Sequence, residues 1–365
     1  MTHVVAASST IVDKLINLFT ISNEKEKDPR KKVVVIGYGW AGKSFCDNID
    51  KKKYNVTVIS KTDYMLNTPK LKDSLTYFDR KLLIPPSYKN LKYITDECKD
   101  IDQIKSTIKT TNQEIKFDYL VVAVGSETND FGVLGVKENC YFLKDIGDVQ
   151  KLRIVFSKHK NKRDIYVTVL GAGPAGLELA FELSKTYKNI KIIEAMDKIL
   201  PSFNSETAKL VIEELKNNKI ELILNKKVTR VEQDRIHTDK SDQNNNYPLL
   251  TNITIWTCGI KPNALVKKLT NNKLTVNSNF AFSNSIYAIG DIIASKELGP
   301  PTAQNGKQQG IYLANHFNND FKSKPYEFKE KGKIIHAANN MIIETSFGVF
   351  KVSNIFKPLI DYFIE

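Results

Sequence analysis

One short pattern occurs twice in this chain, each time between a β-branched hydrophobic run and a stretch that can form a helix. The two copies are "VVVIGYGWAGKSF" and "VTVLGAGPAGLELAFEL". Both read Gly-x-Gly-x-x-Gly; the glycines are Gly37, Gly39 and Gly42 in the first copy and Gly171, Gly173 and Gly176 in the second. In such a strand–turn–helix unit the first glycine makes a tight turn, the second lets a pyrophosphate approach the backbone, and the third lets helix pack on strand. The repeat therefore predicts two dinucleotide-binding folds.

The second strand of each unit arrives at the same distance from its first glycine. "YNVTVIS" ends at Ser60, and "KIIEA" reaches Glu194. A carboxylate at this position accepts hydrogen bonds from ribose hydroxyls and disfavours a 2′-phosphate, so Glu194 indicates NAD rather than NADP in the second unit. Ser60 is short and neutral, and it is either a contact on the nucleotide or a strand-end turn residue.

Three further buried strands end in glycine. "FDYLVVAVGSE" ends at Gly125, "TIWTCGIKPN" at Gly259, and "NSIYAIGDI" at a glycine followed by Asp291. A strand followed by Gly-Asp is typical of flavoproteins with two dinucleotide domains, where the carboxylate contacts the ribityl chain of FAD. We therefore expect an α/β chain of two Rossmann-like domains, one split by the other, plus a short C-terminal segment. The predicted parts are an N-terminal extension (1–30), an FAD-binding domain (31–145 and 275–320), an NADH-binding domain (146–274) and a C-terminal segment (321–365).

With these segments placed, the chain resembles the type II NADH dehydrogenases, the single-subunit NADH:quinone oxidoreductases that bind membranes peripherally. The resemblance runs from about residue 31 to 320. Its most specific parts are "YGWAG" and "PPTAQNGKQQGIYLANHF". The chain departs from the family in "TPKL", where Lys70 replaces an apolar residue, and in Asn305, Gly306 and Lys307, where small or apolar residues are usual.

The resemblance implies a set of cofactor-binding positions. Those for FAD are Gly37, Gly39, Trp40, Ala41, Gly42, Ser60, Thr68, Gly125, Asp291 and Ala303; those for NADH are Gly171, Gly173, Pro174, Gly176, Glu194 and Gly259.

Three side chains are implied in catalysis. Glu178 matches a family glutamate at the nicotinamide–flavin junction, where it would bond the carboxamide or relay a proton. The alternative is a first-turn glutamate that the helix dipole favours. Gln304 and Gln308, one helical turn apart, match the family's quinone-site glutamines and can donate and accept hydrogen bonds without charge. The alternative for this pair is a polar helix face in contact with water.

The stretch before these glutamines predicts a helix start at Thr302–Ala303, since Pro300 and Pro301 lose little by lacking N–H groups there. The free backbone N–H groups of this first turn would point at the flavin edge and stabilise negative charge on it. Gly306 would let the helix pass close to the ring system or its neighbouring wall.

Together these features predict an FAD-dependent NADH:quinone oxidoreductase with ping-pong transfer, from NADH to FAD and then two electrons to a quinone. One alternative is a soluble NADH-dependent flavoprotein reductase with another acceptor. Another is a flavin- and NADH-binding signalling protein that resembles apoptosis-inducing factors.

The composition limits the kinds of partner, metal site and cellular location that we expect for this protein. The formal charge of +13 comes from scattered lysines, so nucleic acid is not an expected partner. The four cysteines show no CxxC and the five histidines no metal-binding spacing, which indicates a reducing, intracellular location and no metal site. Cys258, before Gly259, is expected to be a core thiol.

The two termini each predict a short amphipathic helix. Ile11, Leu15 and Phe19 recur every four residues, and the C-terminal stripe consists of Ile355, Phe356, Leu359, Ile360, Phe363 and Ile364. The C-terminal helix is either an interfacial membrane anchor or a helix docked on the protein or in a homodimer seam. No apolar run reaches the roughly 20 residues of a membrane span. The N-terminus fits neither a secretory signal nor a transit peptide, so the expected location is cytoplasmic or peripheral on a membrane.

Overall fold

The computed structural model of this chain describes residues 28–76, 80–87, 91–159, 163–239, 248–270, 274–293 and 295–356. The predicted N-terminal helix and all of the predicted C-terminal helix after Phe356 lie outside these ranges. Ile355 and Phe356 belong to a single 3-10 turn, Asn354–Phe356.

The elements follow one another along the chain as alternating strands and helices, with several short antiparallel strands between them. The strands are β1 (Lys31–Ile36), β2 (Tyr54–Ser60), β3 (Met65–Leu66), β4 (Leu83–Ile84), β5 (Lys92–Thr95), β6 (Cys98–Asp102), β7 (Thr107–Thr110), β8 (Glu114–Lys116), β9 (Tyr119–Val122), β10 (Ser126–Thr128), β11 (Tyr166–Leu170), β12 (Asn189–Ile193), β13 (Glu221–Ile223), β14 (Val228–Val231), β15 (Arg235–Thr238), β16 (Leu249–Leu250), β17 (Ile253–Trp256), β18 (Ile260–Pro262), β19 (Ile286–Ala288), β20 (Lys333–Ala337), β21 (Asn340–Thr345) and β22 (Gly348–Ser353). The helices are α1 (Trp40–Asn48), α2 (Val136–Asn139), α3 (Ile146–Lys158), α4 (Pro174–Ser184), α5 (Ser205–Asn217), α6 (Val266–Leu269) and α7 (Ala303–Asn318).

The first sheet is parallel and has the strand order β19-β9-β1-β2-β5. Its central strand β1 is buried from Val33 to Ile36, as expected of a strand covered on both faces. The outer strand β19 comes from late in the chain and pairs in parallel with β9. The first Rossmann-like unit is thus built from two separate stretches of sequence.

The second sheet is also parallel, with the order β13-β12-β11-β17, and all its strands come from between β9 and β19. Helix α4 follows β11, as the second glycine motif predicts. A two-stranded antiparallel ribbon, β10 with β18, is formed by the segments that leave and re-enter the first unit. The chain order is therefore that of one nucleotide-binding unit inserted into another.

The C-terminal part contains a feature that the sequence reading missed. Residues 333–353 form an antiparallel meander, β20-β21-β22. Its buried side chains, among them Ile335, Ala337 and Ile342, belong to the same hydrophobic core as α4 and the second sheet. The meander is held there by Glu344, which accepts hydrogen bonds from Asn204 N–H and Thr207 Oγ1 next to α5. The C-terminal segment thus forms one wall of the second unit.

Helix α7 begins where the sequence predicts, at Ala303, with Thr302 as N-cap accepting from Asn305 N–H at 3.2 Å. It crosses α1 at very close range. A Cβ on Gly310 would stand 2.3 Å from Ala41 O and 2.8 Å from Phe45 N. The two helices can therefore touch backbone to backbone only because Gly310 has no side chain. Within the described ranges, no helix combines the length and apolar character needed to cross a bilayer.

Candidate active site

One cavity of about 1180 Å³ joins the two nucleotide-binding units. Its walls include residues at the carboxyl ends of β1, β2, β9 and β19 in the first sheet and of β17 in the second. The carboxyl edge of a parallel sheet is where ligands bind in open α/β folds. The cavity therefore lies where two dinucleotides would meet.

The structure brings most of the predicted site residues to this cavity. Those that line it are Gly37, Gly39, Trp40, Ala41, Ser60, Thr68, Gly125, Pro174, Glu178, Gly259, Asp291, Ala303, Gln304 and Gln308. Gly42, Gly171, Gly173, Gly176 and Glu194 are not part of its lining.

Two glycines of the first motif are tightly packed against backbone, and the third faces open space. At Gly37, where φ is +98°, a Cβ would stand 2.3 Å from Ala123 O, and at Gly42 it would stand 2.1 Å from Gly37 O. These two glycines are required by the packing of the protein itself. A Cβ at Gly39 would meet no protein atom within 4 Å. The open space beside Gly39 fits the approach of a pyrophosphate to the backbone at the start of α1.

The second motif repeats this arrangement. Gly171 has φ +102°, and a Cβ on Gly176 would stand 2.1 Å from Gly171 O, whereas one on Gly173 would meet nothing within 4 Å. The space at the start of α4 thus fits a second pyrophosphate. The residues present fit a dinucleotide in each unit.

Glu194 contacts the backbone around this second turn. Its Oε2 accepts a hydrogen bond from Ala172 N–H at 2.8 Å, and its Oε1 accepts one from Met196 N–H at 2.9 Å. These bonds fix the carboxylate at the end of β12, beside the glycine turn. Its predicted contact with a ribose stays a prediction.

The Gly-Asp pair after β19 is held by residues that the sequence reading did not single out. Ser126 Oγ donates to Asp291 Oδ2 at 3.0 Å, and Lys144 Nζ donates to Ser126 Oγ at 3.0 Å. Gly290 N–H donates to Gln309 Oε1 at 2.6 Å. The carboxylate predicted to contact the ribityl chain is thus oriented at the cavity wall by its neighbours.

Asn305 and Gln309 form a buried amide pair on α7, and each is only 2% exposed. Asn305 Nδ2 donates to the carbonyls of Leu298 and Pro300, and its Oδ1 accepts from Tyr326 OH at 2.7 Å. Gln309 Nε2 donates to Leu298 O at 3.1 Å. The pair fixes the proline loop before α7. The four-residue spacing of the pair is visible in "AQNGKQQG", but the neighbouring glutamines have the same spacing, so the sequence does not show which pair is buried.

Gln304 and Gln308 lie on a different face of α7, and their amides bond to backbone. Gln304 Oε1 accepts from Lys331 N–H at 3.0 Å, and its Nε2 donates to Gly332 O at 3.4 Å. Gln308 Oε1 accepts from Lys329 N–H at 3.1 Å, and its Nε2 donates to Lys329 O at 2.8 Å. Both side chains border the cavity while they fasten the segment that leads into β20.

Gly306 faces α1, which is the neighbouring wall. A Cβ there would stand 3.6 Å or more from Trp40 and Ala41, which is ordinary contact. Trp40, the first residue of α1, donates its indole N–H to Thr68 Oγ1 at 3.4 Å. The start of α1, the start of α7 and the turn at Thr68 therefore border the same part of the cavity.

Glu178 lies deeper in its helix than the sequence reading placed it. Helix α4 begins at Pro174, so Glu178 is its fifth residue and the alternative of a first-turn glutamate is wrong. The contacts of the side chain are tertiary. Oε1 accepts from His336 N–H at 3.0 Å, and Oε2 lies 3.7 Å from Lys72 Nζ. Neither contact could be read from the sequence, because both partners lie far from Glu178 in the chain.

Cys258 is half-buried, next to the tight turn at Gly171. Burial, and to a lesser degree Glu194, raises the pKa of its thiol to about 12, so it stays protonated at neutral pH. This fits the predicted structural thiol.

The chain belongs to the pyridine nucleotide-disulphide oxidoreductase family, whose model matches residues 31–310. This confirms the predicted fold class.

Two named proteins are similar to this chain over most of its length. The chain is 29% identical to the external alternative NADH-ubiquinone oxidoreductase, mitochondrial, of Yarrowia lipolytica, over 83% of this chain and 62% of that protein. It is 28% identical to a probable NADH dehydrogenase of Dictyostelium discoideum, over 87% of this chain and 81% of that protein. The chain thus spans less than two thirds of the Yarrowia lipolytica relative.

Among solved structures, the fold is similar to that of NDH2 from Plasmodium falciparum in complex with NADH. The TM-score is 0.79 at 22% identity, and the match covers 92% of this chain and 95% of that one. At this identity the likeness shows the fold.

Proposed function

We propose that this protein is an FAD-dependent NADH:quinone oxidoreductase. The observation that carries the proposal is the cavity that extends from the first glycine turn to the start of α4, with Glu178 in its wall. Relatives named as NADH-ubiquinone oxidoreductases and NADH dehydrogenase support it. FAD would occupy the first unit, residues 31–145 and 275–320, and NADH the second, residues 146–274.

Within the proposed site the protein binds and orients, while FAD supplies the redox chemistry when it is bound. The start of α1 would receive the FAD pyrophosphate and Asp291 its ribityl hydroxyls. The start of α4 would receive the NADH pyrophosphate, and Glu178 would accept a hydrogen bond from the nicotinamide carboxamide. The first turn of α7 at Ala303 would direct its N–H groups at the flavin edge, where they stabilise developing negative charge.

We place the acceptor beside the face of α7 that carries Gln304 and Gln308. The two amides fasten the segment 329–332 and border the cavity, so they position one wall of the acceptor site. A quinone headgroup is neutral and accepts hydrogen bonds. Each glutamine Nε2 carries a second N–H hydrogen besides the one that bonds to backbone, and this hydrogen would donate to the headgroup.

Membrane association and a homodimer are further parts of this proposal. Large apolar side chains are exposed along the last described stretch: Phe347 at 92%, Phe350 at 49%, Ile355 at 83% and Phe356 at 53%. This run leads into the predicted C-terminal amphipathic helix. A surface of this kind fits the interface of a bilayer, where a lipid-soluble quinone resides.

The test is steady-state NADH oxidation with and without a quinone in Gln304→Ala and Gln308→Ala. We expect quinone turnover to fall about tenfold or more, as loss of two backbone bonds per residue displaces the wall, while NADH still reduces the flavin at the parent rate. Gln103→Ala is the matched control, because Gln103 also donates to a backbone carbonyl, Leu269 O, away from the cavity.

Parent-like quinone turnover in both Gln304→Ala and Gln308→Ala would show that the glutamines are not part of the acceptor site. Rapid reduction by NADH with no quinone turnover in the parent would indicate instead a reductase with another acceptor.

A further inference from the structure

An exposed phenylalanine with a strained backbone follows the strand that leads into the second unit. Phe131 is 63% exposed, and its φ of +51° lies in the left-handed region. A bulky side chain rarely adopts this conformation, because it costs free energy. The exposed ring recovers little of that cost by burial. The conformation of Phe131 therefore points to a task other than the stability of the fold.

The loop around Phe131 is held in place by side chains at both ends of the turn. Asn129 Oδ1 accepts a hydrogen bond from Phe131 N–H at 3.0 Å, and Asp130 Oδ1 accepts one from Gly132 N–H at 3.2 Å. Trp256, the last residue of β17, donates its indole N–H to Asn129 O at 2.9 Å. The loop is thus anchored on the second sheet, and the direction of the aromatic ring is fixed by the anchor.

The ring of Phe131 lies on Gly259, the glycine that follows β17. A Cβ at Gly259 would stand 2.8 Å from Cζ of Phe131, so the ring occupies the space of the missing side chain. Asn129 N–H also donates to Gly259 O at 3.3 Å. Gly259 lines the cavity, whereas Phe131 is not part of the lining. The ring therefore stands at the rim of the cavity, with Gly259 beneath it.

The position of Gly259 relates the ring to one half of the dinucleotide. Strands β12 and β17 flank β11 on opposite sides, and a Cβ on Gly176 would stand 2.6 Å from Thr257 Oγ1. In such a unit the adenosine ribose lies at the end of β12, near Glu194, and the pyrophosphate at the start of α4. The other half then lies over the end of β17. In agreement, Gly259 and Glu178 line the cavity and Glu194 does not.

We propose that Phe131 is a binding contact for NADH, whose ring covers the nicotinamide riboside half of the cofactor at the rim of the cavity. A fixed aromatic ring offers a large apolar surface at little cost in side-chain entropy, and bound NADH would remove that surface from water. The inference rests on the proposed function, since it requires NADH in the second unit with its nicotinamide directed at the first.

The experiment measures the Kd of NAD⁺ and of ADP for the oxidised holoenzyme by isothermal titration calorimetry. ADP carries the adenosine and the two phosphates but lacks the nicotinamide riboside. We expect Phe131→Gly to bind NAD⁺ about tenfold more weakly and ADP as the parent does, because glycine keeps the left-handed turn and removes only the ring. Phe131→Tyr should retain the parent affinity for both. Leu134→Ala is the matched control, because Leu134 is an apolar side chain of the same loop and is 67% exposed.

Two results would overturn the proposal. One is an unchanged Kd of NAD⁺ in Phe131→Gly, and the other is an equal loss of affinity for ADP, which would mean that the loop only maintains the fold of the second unit. If Phe131→Gly does not fold, Phe131→Asn removes the ring with a residue that also tolerates the left-handed region, and the same outcomes apply. A parent protein that holds no FAD or does not bind NAD⁺ would overturn the proposed function itself.

Discussion

The eight residues "AQNGKQQG" contain two amide pairs with the same helical spacing and different tasks. Gln304 and Gln308 fasten the backbone of residues 329–332, whereas Asn305 and Gln309 are buried and fix the loop before α7. The spacing of each pair is plain in the sequence. Which pair faces inward depends on what packs against the helix, and those partners come from elsewhere in the chain.

Because Gln309 belongs to the buried pair, substituting this one residue tests whether the pair stabilises the protein and the flavin site. Gln309→Met keeps the size of the side chain but leaves the part-buried Gly290 N–H without its acceptor and removes one of the two amide donors to Leu298 O. We expect the free energy of unfolding to fall by about 2 kcal/mol and FAD to dissociate faster, because Gly290 precedes Asp291. Urea unfolding and the release of flavin absorbance measure both effects. Unchanged stability and flavin retention would show that the amide has no such role.

At the scale of elements, α7 was predictable where its signals are local. The two prolines predicted its start to within one residue of the observed Ala303. The strands β20–β22 were missed, although Ala338–Asn339 and the turn before Gly348 separate runs with strand-forming residues. The packing of the meander on α4 and α5 depends on residues far away in the chain, so the local sequence does not indicate it.

The crossing of α1 and α7 gives a prediction with its own control. Gly310→Ala would place a methyl group 2.3 Å from Ala41 O, a backbone atom that cannot move cheaply. We expect it to destabilise the protein by about 1–3 kcal/mol through overpacking. Gly306→Ala, one turn earlier on the same helix, meets only ordinary contacts and should be neutral or stabilising by about 0.5–1 kcal/mol. Thermal unfolding of the two variants compares them directly. Equal unfolding temperatures would refute the backbone contact.

At the scale of the whole molecule, the two sheets and their nesting were predictable because each glycine motif carries a strand, a turn and a helix with it. The return of the chain to the first sheet followed from the strand before Asp291. The relation between the units was not predictable, because it depends on contacts such as Lys72 with Glu178 and Thr76 with Glu182, whose partners are separated by more than a hundred residues. The catalytic role that we propose for Glu178 therefore depends on tertiary contacts.

We propose that one cavity brings NADH, FAD and a quinone together, and this is what the function requires. Its most direct test is anaerobic stopped-flow mixing of the purified flavoprotein with one equivalent of NADH, followed by a ubiquinone analogue. We expect NADH to bleach the flavin with one-to-one stoichiometry and the quinone to restore the oxidised spectrum at a rate that supports turnover. Absence of bound FAD, absence of bleaching by NADH, or a reduced flavin that the quinone does not reoxidise would contradict the claim.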